Sequence, residues 1–325
     1  MSREYFDDTA WMAATLLLLA RWAHRFGRAY ASPSGPAEGP IPKVRVVLPL
    51  RGTDPYLRDT LTGLLAQDHP DYDVRIVLDR ADDPAAAIVA EFLAENPSER
   101  IVVTSLEDPL PTCGLKNSAL IQACADLGDE SGAIAVLDAD VVPDPDWLRR
   151  LVAPLRQPDV GAVCGVRWFA PPRRNLGTVV RHQWNILATV QMHALEIPWG
   201  GCLAVRTDVI RDTGQWERWA ASLCDDTSLT TALIRSRRAL AVVPQLTMVN
   251  RETTTLESAA RYVTRQMVFT RLHHPRWPLV LLVGLGTTLA PLLLLAALVA
   301  AVVTGEYVLA TWCGVALASF QVGMT

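Results

Sequence analysis

Short, mostly apolar segments alternate with helical ones between residues 44 and 137, and this alternation limits the folds open to the chain. The predicted strands are Val44–Leu48, Val74–Leu78, Ile101–Ser105 and Ala133–Leu137. The segments between them predict helices over Pro55–Ala66, Pro84–Glu95 and Leu115–Asp126. Apolar strands separated by helices are typical of a doubly wound sheet. We therefore expect an α/β fold with a mostly parallel sheet flanked by helices, in which ligands bind beyond the carboxyl ends of the strands.

Two carboxylates stand at the end of the fourth predicted strand. Asp138 and Asp140 are separated by one small residue, and alternate residues of an extended chain point the same way. Because two carboxylates on one side repel each other, a bound cation is expected. The other interpretation is that both are turn residues whose side chains cap local N–H groups.

More polar residues are expected at the same edge of the sheet. Asp79, Asp82 and Asp83 follow the second strand, and Lys116 and Asn117 begin the helix after the third. A helix N-terminus with a lysine favours anions. Carboxylates, a cation and an anion site on one edge predict a pocket for a nucleotide diphosphate.

Three apolar segments point to a membrane. Pro278–Val303 has no charge and exceeds the roughly 20 residues needed to span a bilayer. A second apolar segment runs from Tyr307 to Thr325 without a polar tail, which is compatible with a truncated C-terminus. Thr9–Ala20 is shorter, and a tilted span, a signal-like segment and an interfacial helix all remain open.

The placement of arginines predicts the orientation in the membrane. Arginines follow Thr9–Ala20 and precede Pro278–Val303 at these positions: Arg21, Arg25, Arg28, Arg261, Arg265, Arg271 and Arg276. By the positive-inside rule, the residues between the two segments face the cytosol. The six cysteines form no C-x-x-C pair, which predicts reduced thiols rather than a zinc site or disulfides. A net charge of −4 gives no sign of nucleic-acid binding.

Five further stretches carry a resemblance to a known family. They are "VVLPLRGTDPYLRDTLTGLLAQDHPDYDVRIVLDRADDPA", "LKNSAL", "VLDADVVPDPDWL", "IPWGGCLAVRTDVI" and "LCDDTSL". From about Val44 to Trp277 the chain resembles the family-2 glycosyltransferases, which have the Rossmann-like GT-A fold, and within them the ceramide glucosyltransferase-like branch.

The resemblance implies roles for individual residues. It implies a nucleotide-sugar-binding set of Asp79, Asp82, Asp83, Lys116, Asp138 and Arg265. In that set Asp79, helped by Asp82 or Asp83, holds the uracil and its ribose, and Asp138 contacts the ribose or the diphosphate. Asp140 is implied as the ligand of a Mg²⁺ or Mn²⁺ that bridges the two phosphates.

The resemblance also implies an acceptor side. Asp226 matches the general base that takes the proton from the acceptor hydroxyl, with inversion at the anomeric carbon. The acceptor loop comprises Trp199, Gly200, Gly201 and Asp225. The two glycines would leave room for substrate. Alternatively, Trp199–Gly201 is only a tight turn, and Asp225 is the N-cap of a helix through Ile234.

One motif departs from the family. An arginine or glutamine, two variable residues and Arg-Trp are usual on an interfacial helix; here Arg265 is present, but Val268 and Phe269 take the Arg-Trp positions. A diphosphate contact is therefore missing or supplied elsewhere, with Arg271 as one candidate. The departure argues against a processive polysaccharide synthase.

Two other classes of protein fit part of the pattern. "VLDADVV" also matches the opening motif of haloacid-dehalogenase-type phosphohydrolases, in which Asp138 would be the nucleophile. In that family the motif normally ends the first strand, whereas three strand–helix units precede it here. A membrane-held nucleotide-sugar binder without activity is the other alternative, and the retained acids argue against it.

The sequence as a whole predicts a membrane-bound, inverting hexosyltransferase. It would use a nucleotide sugar, most simply a UDP-sugar, and a lipid acceptor at the cytosolic face of a bacterial inner or plasma membrane. We expect these regions: an N-terminal membrane-associated helix (1–31), a Pro/Gly linker (32–42), a cytosolic GT-A catalytic domain (43–250), interfacial amphipathic helices (251–277) and two transmembrane segments (278–325).

The orientation can be tested in the linker. With Ser34→Cys, an impermeant thiol reagent added to intact cells should give no labelling above that of the unmodified chain, because the flanking arginines place the linker in the cytosol. Labelling should appear once the cells are permeabilised. Strong labelling of intact cells would reverse the orientation.

Overall fold

The computed structural model describes residues 3–32, 42–128 and 132–322. The chain divides into two compact units: Met1–Ala31, Ile186–Leu195 and Arg276–Thr325 form the first, and Ser32–Asn185 and Glu196–Pro275 form the second. Only the first and last residues of the predicted linker, Ser32 and Pro42, lie within the described ranges, so the linker prediction falls almost entirely outside them.

The second unit is built on a seven-stranded sheet. The strands are β1 (Val44–Leu50), β2 (Tyr72–Leu78), β3 (Ile101–Ser105), β4 (Ala133–Leu137), β5 (Val160–Phe169), β6 (Cys202–Arg206) and β7 (Ala239–Asn250). Their order in the sheet is β3-β2-β1-β4-β6-β5-β7. The four strands predicted from sequence are confirmed, with two extra residues at the end of β1 and at the start of β2.

The sheet is mixed but mostly parallel. β1 pairs with β2 and β4 in parallel, β2 pairs with β3, and β5 pairs with β7 in the same sense. Only β6 runs against its neighbours, β4 and β5. The mostly parallel sheet expected from sequence is therefore confirmed. The antiparallel β6 has the consequence that its N-terminal end, at Cys202, meets the carboxyl end of β4 at Leu137.

Helices cover the sheet. In the second unit they are α2 (Leu57–Leu65), α3 (Ala85–Glu95), α4 (Leu115–Ala123), α5 (Trp147–Val152), α7 (Thr207–Thr213), α8 (Gln215–Trp219), α9 (Leu229–Ser236) and α10 (Leu256–His273), with a 3-10 turn at Ala153–Arg156. A further helix, α6, spans Leu176–Leu195. The helix expected through Ile234 begins at Leu229 with Ser228 before it, so Asp225 is not its N-cap and that interpretation is wrong.

The core of the second unit fixes the strand end that carries the acids. Every residue of β4 is buried, as expected for a strand covered on both faces. Trp219 of α8 is fully buried in a cluster with Val136 of β4 and Leu229 of α9. Its indole N–H donates to the Asp225 carbonyl oxygen at 2.7 Å. Packing therefore fixes the end of β4 and also the loop before α9.

The first unit is helical. It contains α1 (Arg3–Ala31), α11 (Trp277–Thr304) and α12 (Tyr307–Val322). Within the described residues, α11 alone is both long enough and apolar enough to cross a membrane, and the apolar part of α12, Tyr307–Ser319, is shorter. Only 28% of the most apolar window of α11 is buried, and Leu282 and Val303 are among its exposed side chains.

The fold predicts which apolar contacts are needed for stability. Leu137, the last residue of β4, is fully buried, so Leu137→Ala should lower the free energy of unfolding by about 2–5 kcal/mol through lost burial and a residual cavity. Val102 on the edge strand β3 is 38% exposed, and Val102→Ala should change it by about 0.5 kcal/mol or less. Urea unfolding of the detergent-solubilised chain, followed by tryptophan fluorescence, measures both. Equal effects would contradict this account of the core.

Candidate active site

Two cations of the protein hold the first acid after β4. Asp138 accepts a hydrogen bond from Lys116 Nζ at 2.8 Å through Oδ1 and from Arg167 Nη2 at 2.9 Å through Oδ2. Burial raises the pKa of Asp138, but Lys116 and Arg167 lower it by more, so the net shift is downward. The cation expected beside this carboxylate is therefore provided by the protein itself.

The second acid is held differently. Asp140 Oδ2 accepts a hydrogen bond from Asn250 Nδ2 at 2.6 Å, while its Oδ1 is buried and has no hydrogen-bond partner among the described residues. Burial raises the pKa of Asp140. The charge of Arg167 lowers this pKa, and the charges of Asp138 and Asp54 raise it further. A buried carboxylate oxygen without a donor is costly unless something else binds it. Of the two acids, Asp140 is the one with an oxygen left for a ligand.

Lys116, at the start of α4, is surrounded by acceptors from its own chain. Its Nζ lies 2.8 Å from Asp138 Oδ1, 3.1 Å from Asp225 Oδ2 and 3.1 Å from the Gly200 carbonyl oxygen. Two of these contacts are hydrogen bonds, to Asp138 Oδ1 and to the Gly200 carbonyl oxygen, and the contact with Asp225 Oδ2 is an ion pair. The expected anion site at Lys116 is therefore not supported. The Lys116 ammonium instead forms ion pairs with Asp138 and Asp225.

The residues beside Lys116 anchor the loop that ends at Asp226. Asn117 is fully buried, and its Nδ2 donates to the carbonyl oxygens of Trp219, Ser222 and Cys224 at 3.0, 2.9 and 3.2 Å. The Gly114 N–H donates to the Ser222 carbonyl oxygen at 2.9 Å. Gly114 and the first turn of α4 thus anchor this acidic loop.

Asp225 is the buried member of the "CDDT" pair. Its side chain is 5% exposed and faces Lys116. Burial raises its pKa to about 6, with Asp226 and Asp138 adding to the shift and Lys116 opposing it. Lying against the Lys116 ammonium, Asp225 supports the site from within.

Asp226 is the more accessible member of the pair. Its Oδ2 accepts from the Gly200 N–H at 3.1 Å, and its Oδ1 accepts from the Thr227 N–H at 2.6 Å. The side chain is partly exposed. Each oxygen keeps a lone pair, so Asp226 can accept a further proton donor from outside.

The two glycines before β6 make room for the protein's own side chains. A Cβ on Gly200 would lie 2.3 Å from Asp225 Oδ2. A Cβ on Gly201 would lie 2.2 Å from the Trp199 ring and 2.6 Å from Asp138 Oδ2. The expectation that they leave space for substrate is therefore corrected: the space is filled by Trp199 and the two carboxylates.

The acids after β2 have separate environments. Asp79 is 16% exposed, with Arg51 Nε at 3.4 Å. Because β1 alone separates β2 from β4, Asp79 and Asp138 lie at the same edge of the sheet, about 10 Å apart for two strand spacings.

Asp82 and Asp83 differ in their exposure to solvent. Asp82 is exposed and pairs with nearby Arg80 at 3.0 Å. Asp83 is buried and accepts from the N–H groups of Gly52 and Ala85, at 2.9 and 2.8 Å for the shorter contacts. Gly52 has a positive φ of 75°, so Asp83 stabilises the turn after β1 and the start of α3. The contact of Asp83 with the nucleotide stays a prediction.

Arg265 lies on α10 near the first acid. Its positive charge contributes to lowering the pKa of Asp138, and its guanidinium carbon is 5.8 Å from the Tyr262 ring centroid. Val268, at the first position of the absent Arg-Trp pair, is exposed on the same helix.

Sequence reasoning missed two residues of the site. Arg167 of β5 contacts Asp138, donates to the Tyr262 hydroxyl at 3.3 Å and lies over the Trp199 ring at 4.7 Å. Asn250, the last residue of β7, contacts Asp140. Both stand at or near the end of a mostly apolar strand, and this was the signal available in the sequence.

The charges at the site leave an excess of negative charge. Asp138, Asp140, Asp225 and Asp226 face Lys116 and Arg167, with Arg265 as a third cation nearby. Among the described residues no three His, Cys, Asp or Glu side chains form a group that could hold a metal alone. Mg²⁺ commonly binds one or two carboxylates together with substrate phosphates and water, and Asp140 Oδ1 fits that pattern.

Comparison with known proteins identifies the family. A family model described as glycosyl transferase family 21 matches residues 9–325. The chain belongs to glycosyl transferase family 21. This confirms the enzyme class expected from the sequence, a glycosyltransferase of the hexosyltransferase type, and favours it over the phosphohydrolase and the inactive binder. The lipid-specific branch stays a prediction.

Solved structures similar to this family-21 glycosyltransferase include two that hold a nucleotide sugar and Mn²⁺. A mannosyltransferase from Pyrobaculum calidifontis, PcManGT, solved with GDP-mannose and Mn²⁺, matches 97% of this chain and 96% of its own at 19% identity and a TM-score of 0.59. A glucosyl-3-phosphoglycerate synthase from Mycobacterium tuberculosis, solved with Mn²⁺ and UDP-glucose, matches 76% and 83% at 16% identity and a TM-score of 0.44. The first supports the GT-A-like fold.

A curated relative matches in part. The O-antigen biosynthesis protein RfbC of Myxococcus xanthus is 30% identical over 124 residues. That stretch is 38% of this chain and only 9% of the relative's length.

The buried Asp225 predicts a pH dependence of stability. Its folded pKa of about 6 lies above the ordinary value near 3.9, so the stability it contributes is present below about pH 4 and is lost as the pH rises through about 6. Relative to Asp225→Asn, the wild type should therefore lose unfolding free energy between about pH 4 and pH 7. Chemical unfolding at both pH values measures the difference.

The matched control is Asp82→Asn, since Asp82 is 79% exposed. Its stability should follow the wild type at both pH values. A difference between wild type and Asp225→Asn that does not change with pH would contradict the assigned environment of Asp225.

Proposed function

We propose that this family-21 enzyme transfers a hexose from a UDP-sugar to a hydroxyl group of a membrane lipid, at the cytosolic face and with inversion at the anomeric carbon. The observation that supports it most is that the four acids differ in their partners. Asp138 and Asp225 form ion pairs with Lys116, while Asp140 Oδ1 has no hydrogen-bond partner among the described residues and the partly exposed Asp226 accepts from backbone N–H groups. A site for transfer needs one carboxylate for the donor side and another for the acceptor.

The donor side is assigned to the strand ends. Asp79 is proposed to hold the uracil and ribose, and Asp140 to hold a Mg²⁺ or Mn²⁺ through its free Oδ1. Bound with the diphosphate, that ion would offset the charge of the leaving group. Arg265 and Arg167 are the cations proposed to face the diphosphate, since Lys116 already pairs with acids of the chain and Arg167 Nε is buried without a partner in the part of the chain that the structure describes.

The acceptor side is assigned to Asp226. Its carboxylate takes the proton from the acceptor hydroxyl as that oxygen forms a bond to the anomeric carbon. The bond between the anomeric carbon and the phosphate oxygen breaks, and UDP leaves with the electron pair. Asp225, held by Lys116, keeps the loop and the Gly200 N–H in place, and that N–H orients Asp226.

A lipid acceptor is proposed from the apolar surfaces. α11 exposes leucines along a stretch without charge, which is unfavourable in water and favourable in a bilayer. α10 exposes Val268 and Leu272 together with basic residues, as an interfacial helix does. The flanking arginines favour a cytosolic site, where UDP-sugars are available.

The acceptor base can be separated from donor binding by two neighbouring substitutions. Asp226→Asn keeps size but cannot take the proton, so kcat should fall by about 10²- to 10⁴-fold while UDP affinity changes little. Asp225→Asn removes a supporting carboxylate and should affect turnover less. UDP binding is measured by calorimetry, and product by thin-layer separation of lipids after incubation with a panel of radiolabelled nucleotide sugars.

Three results would count against the proposal. Label that never enters the lipid fraction with any donor would exclude a lipid acceptor. If Asp225→Asn is inactive and Asp226→Asn is active, the general base is Asp225 and the assignment to Asp226 is wrong. Near-normal transfer by both would remove the general base from this loop.

A further inference from the structure

Asn250 makes a contact that the assigned roles do not explain. It is the last residue of β7, is 3% exposed, and donates from Nδ2 to Asp140 Oδ2 at 2.6 Å. No part of the sequence pattern linked the two residues, which are 110 positions apart.

The orientation of the Asn250 amide is determined by its second contact. Its Oδ1 accepts from the Glu252 N–H at 3.0 Å. A backbone N–H can only donate, so the oxygen of the amide must face Glu252 and the NH₂ group must face Asp140. The backbone of Asn250 is fixed as well, because its carbonyl oxygen accepts from the Ala170 N–H at 2.8 Å.

This contact fixes Asp140 without neutralising it. The amide holds Oδ2 and leaves the buried Oδ1 without a partner. At Asp138, by contrast, Lys116 and Arg167 hold both oxygens and balance the charge. A neutral donor at Asp140 sets the rotation of the carboxylate without adding a positive charge beside it.

We infer that Asn250 is a positioning residue that holds Asp140 so that its Oδ1 faces the divalent cation. The inference rests on the proposed function, since the cation is part of it. Residues that hydrogen-bond to a metal ligand fix its orientation, and their loss typically costs about 10- to 100-fold in metal affinity. A lysine or arginine at this position would balance the charge of Asp140 and compete with the metal.

The test measures Mn²⁺ binding directly. Purified full-length chain in detergent is titrated with Mn²⁺ in the presence of UDP, and free Mn²⁺ is followed by electron paramagnetic resonance. Asn250→Ala should weaken Mn²⁺ binding by about 10- to 100-fold. UDP affinity in the presence of a chelator should stay unchanged.

Two variants serve as controls. Asp140→Ala should lose Mn²⁺ binding. Gln67→Ala removes another buried amide, one that donates to the carbonyl oxygens of Gly63 and Asp144, and it should bind Mn²⁺ as the wild type does. If Asn250→Ala does not fold, Asn250→Ser replaces it, because its hydroxyl stops short of Asp140 and the same weakening is expected.

The outcomes separate the two proposals. If the wild type binds no Mn²⁺, or Asp140→Ala binds it normally, the metal assignment of the proposed function fails, and this inference fails with it. If the wild type binds Mn²⁺, Asp140→Ala does not, and Asn250→Ala binds within about threefold of the wild type, the role of Asn250 alone is wrong.

Discussion

The ammonium group of Lys116 joins two segments that carry acids to the glycine turn before β6. It contacts Asp138 after β4, the Gly200 carbonyl before β6 and Asp225 before α9. Asp225 is buried, and a buried carboxylate without a partner costs several kcal/mol. The segments and the lysine therefore stabilise one another only when all are in place. The position of Asp226 depends on this contact because its oxygen binds the N–H of Gly200.

This arrangement separates carboxylates that look equivalent in sequence. Asp138 and Asp140 belong to one motif, yet the protein's cations balance the first and a neutral amide holds the second. Asp225 and Asp226 are adjacent, yet only the first lies against Lys116. The close approach of these groups requires glycine at 200 and 201, where a Cβ would overlap a carboxylate. The two members of each pair are therefore held by different partners.

The sheet was predictable where its signals are local. β3 and β4 have the bounds expected from sequence, because short buried strands between helices form compact apolar blocks. The edge carrying Asp79 and Asp138 followed from the parallel order. The role of Lys116 did not follow, because a helix N-terminus predicts an anion site but does not show that three acceptors of the chain already surround the ammonium. The supposed helix cap at Asp225 was wrong for the same reason: its partner lies 109 residues away in sequence.

The sequence by itself determined the alternation of strands and helices, the clustering of acids at one sheet edge and the enzyme class. Only the tertiary structure decided how each acid is held. β5 and β7 pair in parallel although more than sixty residues separate them, and this pairing brings Arg167 and Asn250 to the edge where β4 ends. Hydrophobic periodicity reports the environment of a residue relative to its own strand or helix. The charge state of a buried carboxylate depends instead on donors from distant segments, which meet only after the chain has folded.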